Sequence, residues 1–484
     1  MNRRSSIVSL VVAGLLAAAF VVASSAVRAA DAGLGSSRPT ETHQPSDGHW
    51  VNTWVSTPQL TEPANMPPAP FTQDGRVLAD ATLRQTVHVS VGGRHLRLRF
   101  SNAFGGAALP ITSVSVALPL DGQAGVSAIR PGSSRPVTFG GRSSVVVPVG
   151  APIVSDPLDF ALAPGANLTV TAYLAEGQAS TSITSHPGSR TTSYLLSGNH
   201  VGDEDLPGAT PTDHWYFLSG VETWSPRTGA AAVMLGDSLT DGRGSTTNLN
   251  NRWPDQLLKR LQAAEGSAGV AILNQAAGGN RVLHDGLGPN ALARLDRDVL
   301  AQSGVAWLLV FEGVNDIGTA EPTEAAQKQV TADLIAAYEQ IVVRAHAQGI
   351  RVYGATLTPF GGNTGYDDAA GYREASRQAV NRWIRTSGRF DAVVDFDRAA
   401  RDPRQPARLL TAIDVGDHLH LNPTGYRILA EPSPRDSSDS GRIKGTSDSN
   451  SHRPRGCRQR VPRTGRGGSD DGTRPHTACQ GAAT

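Results

Sequence analysis

Five short apolar runs, at residues 231–235, 270–273, 307–311, 350–355 and 391–396, alternate with helix-like segments at about 252–264, 289–301, 322–348 and 370–387. A strand can return to the same sheet in parallel only after a long crossover, usually a helix. The alternation therefore predicts a parallel sheet covered by helices on both faces. Sites in such sheets form beyond the carboxyl ends of the strands. Polar residues directly after each apolar run are thus the ones to weigh first.

The preceding part of the chain has a different texture. From Trp50 to about Trp224 the apolar residues recur with period two, broken by Gly, Pro and Ser turns. "TVHVSV" places Val87, Val89 and Val91 on one face, and "HLRLRF" does the same for Leu96, Leu98 and Phe100. With Gly92 and Gly93 between them, these runs predict a hairpin. Further strands are expected at "SVSVAL", "SVVVPV", "NLTVTAYL" and "HWYFLSGVETW", with no helical period of useful length. An antiparallel β-sandwich over residues 48–226 is the economical reading, followed after "SPRTGA" by the α/β domain over 227–431.

The ends are unlike either half. Arg3 and Arg4 precede the apolar run Ile7–Ala23 and the small residues of "SSAVRAAD". That is the order of a secretory signal peptide over residues 1–30, cut near Ala29 or Ala30, with a single membrane anchor as the alternative. Residues 31–47 read as a polar linker. Residues 432–484 hold only two branched aliphatics, Ile443 and Val461, and no Leu, Met, Phe, Trp or Tyr. Such a tail has too little apolar surface to fold; disorder is expected, with a sequence foreign to the fold, as a frameshift would produce. The helix opened by Asn422 and Pro423 is expected to stop at Pro432 and Pro434, leaving part of the sheet or a neighbouring helix uncovered. The mature protein is expected outside the cell, with no stable membrane anchor and as a monomer.

Charge and cysteine content narrow the chemistry. With 44 basic and 43 acidic residues and no long single-sign block, nothing points to a nucleic-acid partner. The two cysteines, Cys457 and Cys479, lie in the tail, which excludes cysteine chemistry in the main body.

Four strand ends then carry suggestive residues. The first run enters "GDSLTDG" with Ser238, which is either a nucleophile or the cap of the next helix. The second enters "LNQAAGGN", whose Gly-Gly turn lets a backbone N–H approach a ligand. The third enters "FEGVNDIG", with Asn315 and Asp316 at its end. After the fifth comes "IDVGDHLHLNPTGY", with Asp417, His418 and His420, and with Asp414 as a second candidate acid. A nucleophilic serine needs a base, an acid to orient the base and donors for the oxyanion. All of these residue types fall at one rim of one sheet. A metal site is disfavoured: "DHLH" has no third ligand at a metal-like spacing, and no H-E-x-x-H occurs. An α/β-hydrolase elbow is disfavoured too, since position 240 is Thr where G-x-S-x-G needs Gly.

"GDSL" at 236–239, "NQAAGG" at 274–279, "GVND" at 313–316 and "DHLH" at 417–420 resemble, in order, the four sequence blocks of the SGNH/GDSL hydrolases. The resemblance covers roughly 228–430 and implies a flavodoxin-like three-layer α/β/α domain. It also implies a catalytic Ser238, Asp417 and His420, with His420 as base and Asp417 orienting it. The oxyanion hole it implies is made of the Ser238 and Gly279 N–H groups and the Asn315 amide. Gly279 is preferred to Gly278 because the family's glycine lies five residues after the strand-end Asn, here Asn274. His420 is preferred to His418 because it is followed by Leu-Asn, as in the family. Asp237 is expected to hydrogen-bond nearby, and His284 and Asp285 have no assigned role.

The β-rich front is similar to that of secreted members, some associated with xylan. The expected function is a secreted serine esterase acting on small-molecule or polysaccharide esters of short acyl chains, acetylated carbohydrate among them, with no cofactor. The alternatives are a lipase- or phospholipase-type acylhydrolase and a non-catalytic glycan-binding protein.

Overall fold

The computed structural model describes residues 47–73 and 75–431. The expectations for the leader (1–30), for all but the last residue of the linker (31–47) and for the tail (432–484) lie outside the described residues.

The five apolar runs form one parallel sheet: β1 (Ala230–Gly236), β2 (Val270–Ala276), β3 (Val305–Phe311), β4 (Arg351–Ala355) and β5 (Ala392–Val394). Its order is β2-β1-β3-β4-β5, with every pairing parallel. That is the order of doubly wound flavodoxin-type sheets, in which the chain reverses direction between β1 and β3 and opens a crevice there. Among the described residues eight α-helices accompany it, with a 3-10 turn at Thr411–Ile413: α1 (Ser238–Asp241), α2 (Trp253–Ala263), α3 (Ala291–Leu295, extended by a π turn over Asp296–Leu300), α4 (Val314–Thr319), α5 (Glu324–Ala347), α6 (Tyr372–Thr386), α7 (Phe396–Ala400) and α8 (Pro423–Ala430). They pack in two groups, α2 with α8 and α7, and α5 with α6 and α3.

The two faces of the sheet are covered unequally. Val233, Leu235, Ala271, Leu273, Leu308 and Val352 point one way and are fully buried. Alternate residues point the other way: Ala232, Met234, Ile272, Trp307, Leu309 and Tyr353 line an apolar groove of about 490 Å³. Leu257 and Leu261 of α2, Phe396 of α7 and Leu429 of α8 form its walls.

The front half is antiparallel, as its period-two pattern predicts. One sheet pairs His49–Val55, Leu218–Ser225, Gly93–Ser101 and Pro152–Val154, with Leu158–Leu162 also on Gly93–Ser101. Another runs Thr210–Thr212, Ser193–Ser197, Ala81–His88, Asn167–Leu174, Ser113–Ala117 and Arg135–Val137. Both sheets contribute to one apolar cluster that includes Leu83, Leu96, Leu98, Phe100, Leu168 and Val170. Helical structure among its described residues is limited to the 3-10 turns Pro63–Asn65 and Leu120–Gly122.

The hairpin expected at Gly92-Gly93 does not form. Ala81–His88 and Gly93–Ser101 lie in different sheets, so this segment crosses from one to the other. The alternation itself holds, since Val87, Val89, Leu96, Leu98 and Phe100 are all buried. The glycines serve a close approach instead: a Cβ on Gly92 would stand 2.2 Å from the Leu162 carbonyl oxygen. The run "HWYFLSGVETW" likewise divides at Phe217, whose φ is +62°, into Trp215–Tyr216 and Leu218–Ser225.

The halves interlock. Val51, Val55 and Val91 of the front half belong to the α/β core, whereas Trp54 faces the antiparallel cluster. Ser90 Oγ donates to the Ile272 carbonyl (2.7 Å) and accepts from the Ile272 N–H (3.1 Å), so it joins the edge of β2. Thr57 Oγ1 donates to Gln275 Oε1 at 2.9 Å. Among the described residues no helix is long and apolar enough to cross a membrane.

Candidate active site

At the end of β1 the chain turns sharply, and Gly236 leaves it room: a Cβ there would meet Thr240 Oγ1 at 2.5 Å and the Phe311 carbonyl at 2.8 Å. The cap of α1 is Asp237, whose Oδ1 accepts the Leu239 N–H at 3.0 Å. Ser238 is therefore not the cap, and its hydroxyl is free for other work. Burial pushes the Asp237 carboxyl well above its ordinary range, and the charges of Glu312, Asp316 and Asp241 add to that.

Ser238 Oγ lies 2.8 Å from His420 Nε2, and His420 Nδ1 lies 2.6 Å from Asp417 Oδ2. With the carboxylate on the Nδ1 side, that nitrogen carries the proton, so Nε2 accepts from the serine hydroxyl. Asp417 is itself oriented, because its Oδ1 accepts the N–H groups of Leu419 (3.0 Å) and His420 (2.8 Å). Burial raises the Asp417 carboxyl, but these hydrogen bonds outweigh it and hold the group below its usual value. Burial is also the largest influence on His420 and lowers it; Asp417 pulls it up, Arg243 and Arg190 push it down, and the net position is below 6.5. The other candidates point elsewhere: His418, half exposed with φ +60°, binds Asp414 Oδ2 at 2.7 Å.

The expected oxyanion donors also converge on this spot. Gly278, Gly279 and Asn315 line the same pocket as Ser238 and His420. Gly279 has φ +71°, which glycine adopts without strain. Neither its N–H nor that of Ser238 is paired with a described residue. Asn315 Nδ2 donates to the Asn280 carbonyl at 2.7 Å, which leaves one of its two hydrogens unused. Asp316 is not in the acid's place, because its oxygens accept the N–H groups of Val282 and Leu283, both at 2.9 Å. Asp285 Oδ1 accepts the Asn290 N–H at 2.8 Å, pinning the turn into α3.

Two groups of residues here escaped sequence reasoning. The first is Arg294, fully buried beneath the pocket. Its guanidinium donates to Gln275 O (2.7 Å), Gly236 O (3.2 Å) and Asn280 Oδ1 (2.9 Å), and it pairs with Asp298 (3.4 Å) and Glu312 (3.3 Å). One side chain thus fixes the ends of β1 and β2 together with the residue that holds Asn315. Burial pushes Glu312 up to about 7, against the pull of Arg294. The signal was present: Arg294 sits beside the buried stripe of Ala291, Leu295 and Val299. The second group comes from the front half. Gln59, Glu62, Asn65, Gly188 and Arg190 line the pocket, whose volume is about 520 Å³. His186 Nε2 lies 2.9 Å from Asp241 Oδ1, and its Nδ1 lies 3.1 Å from the Thr57 carbonyl. The front half therefore reaches α1, one turn from Ser238.

Residues 234–428 match the family model of the GDSL-like lipases and acylhydrolases. No curated protein matches the chain. Among solved structures, the acetylxylan esterase Axe2 of Geobacillus stearothermophilus is similar at 20% identity, over 42% of this chain and 93% of that one, with a TM-score of 0.32. The acetyl xylan esterase AlAXEase is similar at 18% identity over 41% and 96%, with a TM-score of 0.31. So is LAE5, an alpha/beta hydrolase enzyme from the metagenome of Lake Arreo, Spain, at 18% identity over 42% and 92%, with a TM-score of 0.31.

Proposed function

We propose, from the premise that residues 234–428 form a GDSL-like lipase/acylhydrolase domain and that the chain is a carboxylic ester hydrolase, that hydrolysis runs through an acyl-enzyme on Ser238. The observation that carries this reading is the unbroken chain from Ser238 Oγ to His420 to Asp417, at 2.8 Å and 2.6 Å. His420 Nε2 takes the serine proton as Oγ bonds to the ester carbonyl carbon. The N–H groups of Ser238 and Gly279 and the free Asn315 amide hydrogen stabilise the oxyanion. The carbon–oxygen bond to the alcohol then breaks, and His420 returns the proton to the leaving alcohol. Water repeats both steps to release the acid.

For the substrate we put forward short-acyl esters of polyhydroxylated alcohols, acetylated carbohydrate first. Gln59, Glu62, Asn65 and Arg190 offer hydrogen bonds to hydroxyl groups, and the aliphatic lining is limited to Leu287 and Leu419, beside the proline ring of Pro187. The antiparallel half (48–226) is read as a β-sandwich that walls the mouth, supported by the apolar cluster its two larger sheets share. Secretion directed by residues 1–30 and a monomeric state belong to the same proposal.

The test is turnover of p-nitrophenyl esters of increasing acyl length and of acetylated xylo-oligosaccharides. Ser238→Ala should lower kcat by on the order of 10⁴–10⁶. A fluorophosphonate should label Ser238 alone. Labelling elsewhere, or near-normal turnover by the variant, would overturn the reading.

A further inference from the structure

The segment "PFGGNTGY" (359–366) follows β4 at the same rim of the sheet as the pocket. Its two ends reach opposite halves of the site. Asn363 Oδ1 accepts the N–H groups of Gly365 (3.0 Å) and Tyr366 (2.9 Å), which closes a tight turn. Asn363 Nδ2 donates to the main-chain carbonyl of Asp417 at 2.7 Å. Three residues on, the Tyr366 hydroxyl lies 2.7 Å from Asn315 Oδ1.

The direction of that last bond is fixed by its neighbours. The Asn280 carbonyl only accepts, so the Asn315 atom facing it must be Nδ2. Oδ1 then faces Tyr366, and the phenol must donate. The Asn315 amide is thereby held at both ends, with one Nδ2 hydrogen left over on a residue that lines the pocket beside Ser238 and Gly279. The ring is held as well: it packs edge-on against Phe360 at 6.3 Å. It also fills the space beside Gly318, where a Cβ would come within 2.4 Å of it. Gly318 is on α4, three residues after Asn315, so the helix that carries the amide also makes room for the ring. Burial raises the phenol above its ordinary 10, and the Asp237 charge adds to this, so the hydroxyl keeps its proton across the working range.

We infer that Tyr366 is a positioning residue for the oxyanion hole: its hydroxyl fixes and polarises the Asn315 amide, so that the free Nδ2 hydrogen is aimed at the developing oxyanion. Donation into an amide oxygen strengthens donation from the same amide's nitrogen. An oxyanion donor acts fully only when its geometry is set before the charge appears. Asn363 ties the same loop to the Asp417 backbone, so one short strap spans the base loop and the oxyanion donor. The inference rests on the esterase reading of the site.

The experiment compares wild type, Ser238→Ala, Asn315→Ala, Tyr366→Phe and the Asn315→Ala/Tyr366→Phe double variant on p-nitrophenyl acetate, with thermal melting of each. Tyr366→Phe keeps the ring and its packing and removes only the hydroxyl. Its kcat should fall about tenfold, less than the roughly 10²–10³ typical for loss of a whole donor, with KM within about twofold. In the Asn315→Ala background the same change should cost nothing further, because the group it acts on is gone. The loss should be uniform with pH. Full activity of Tyr366→Phe, a defect confined to KM, additivity with Asn315→Ala, or a displaced pH profile would each overturn the inference. The last would show that the hydroxyl acts through Asp417 and His420. Turnover surviving Ser238→Ala would instead defeat the esterase reading, and this inference with it.

Discussion

Two cavities formed by the described residues are nearly equal in size, about 520 Å³ at the rim of the parallel sheet and about 490 Å³ on its flank. Both draw on β1, β2 and β3, the groove on β4 and β5 as well, and they differ in which part of the strand supplies the wall. The rim pocket is made where strands end, so the pleat no longer dictates what points inward. Ser238, Gly279, Asn315 and His420 can all meet there. The flank groove is made where strands continue, so every second residue faces it, and those residues are Ala, Met, Ile, Trp, Leu and Tyr. Volume says nothing about chemistry here. What separates the two is whether polar groups converge and are held from behind, as Arg294 holds the strand ends and Tyr366 holds Asn315.

The contrast can be broken or sharpened by substitution. Under the rim pocket, Arg294→Met removes a fully buried guanidinium and leaves the buried Glu312 without its ion-pair partner, while Asp298 keeps Arg297. Breaking a buried pair from one side costs roughly 3–5 kcal/mol. Urea unfolding should register a loss of that order, with weakened activity because the ends of β1 and β2 lose their tie. A loss below about 1 kcal/mol would mean that the strand ends are set by something else.

The next effect is on pH dependence. In the proposed mechanism His420 must be neutral to accept the serine proton, and its pKa is lowered, so kcat/KM should rise with pH through a midpoint below 6.5 and then level off. Arg243→Gln removes a positive charge that disfavours protonated His420, so the midpoint should move upward by a fraction of a unit. A wild-type midpoint above 7, or a downward move in the variant, would contradict this electrostatic account.

At the groove the expectation is smallest. Val393 is 39% exposed on its lip. Val393→Glu should leave kcat/KM within about twofold and stability within about 0.5 kcal/mol, as surface substitutions usually do. Its visible effect should be weaker fluorescence of an apolar dye such as ANS bound to the native protein. A large loss of activity would show that the flank and the rim are coupled.

The strands of the sheet were legible because each is an apolar run bounded by turn residues, and all five fall where the pattern places them. The long helices were legible for the same reason. The meeting of Ser238 with His420 and Asp417 was foreshadowed because strand ends of one sheet must lie together. The hairpin at Gly92-Gly93 misled, since a glycine pair looks the same whether it turns a chain back or lets it pass close to another backbone. The short α4 and α7 gave no signal because neither is long enough to show a period. Tyr366 and His186 were hidden for a deeper reason: each matters through partners far away in sequence, and no local pattern carries that information.

The strand His49–Val55 bears on how the protein could be taken apart. Val51 and Val55 complete the α/β core, while Trp54, between them, belongs to the other cluster. An excised residue 227–431 fragment would thus open a gap in its own interior and lose the His186 contact to α1 at the same cut. The front half is not a removable accessory, and neither shuffling it between enzymes nor trimming it for expression should yield a working catalyst.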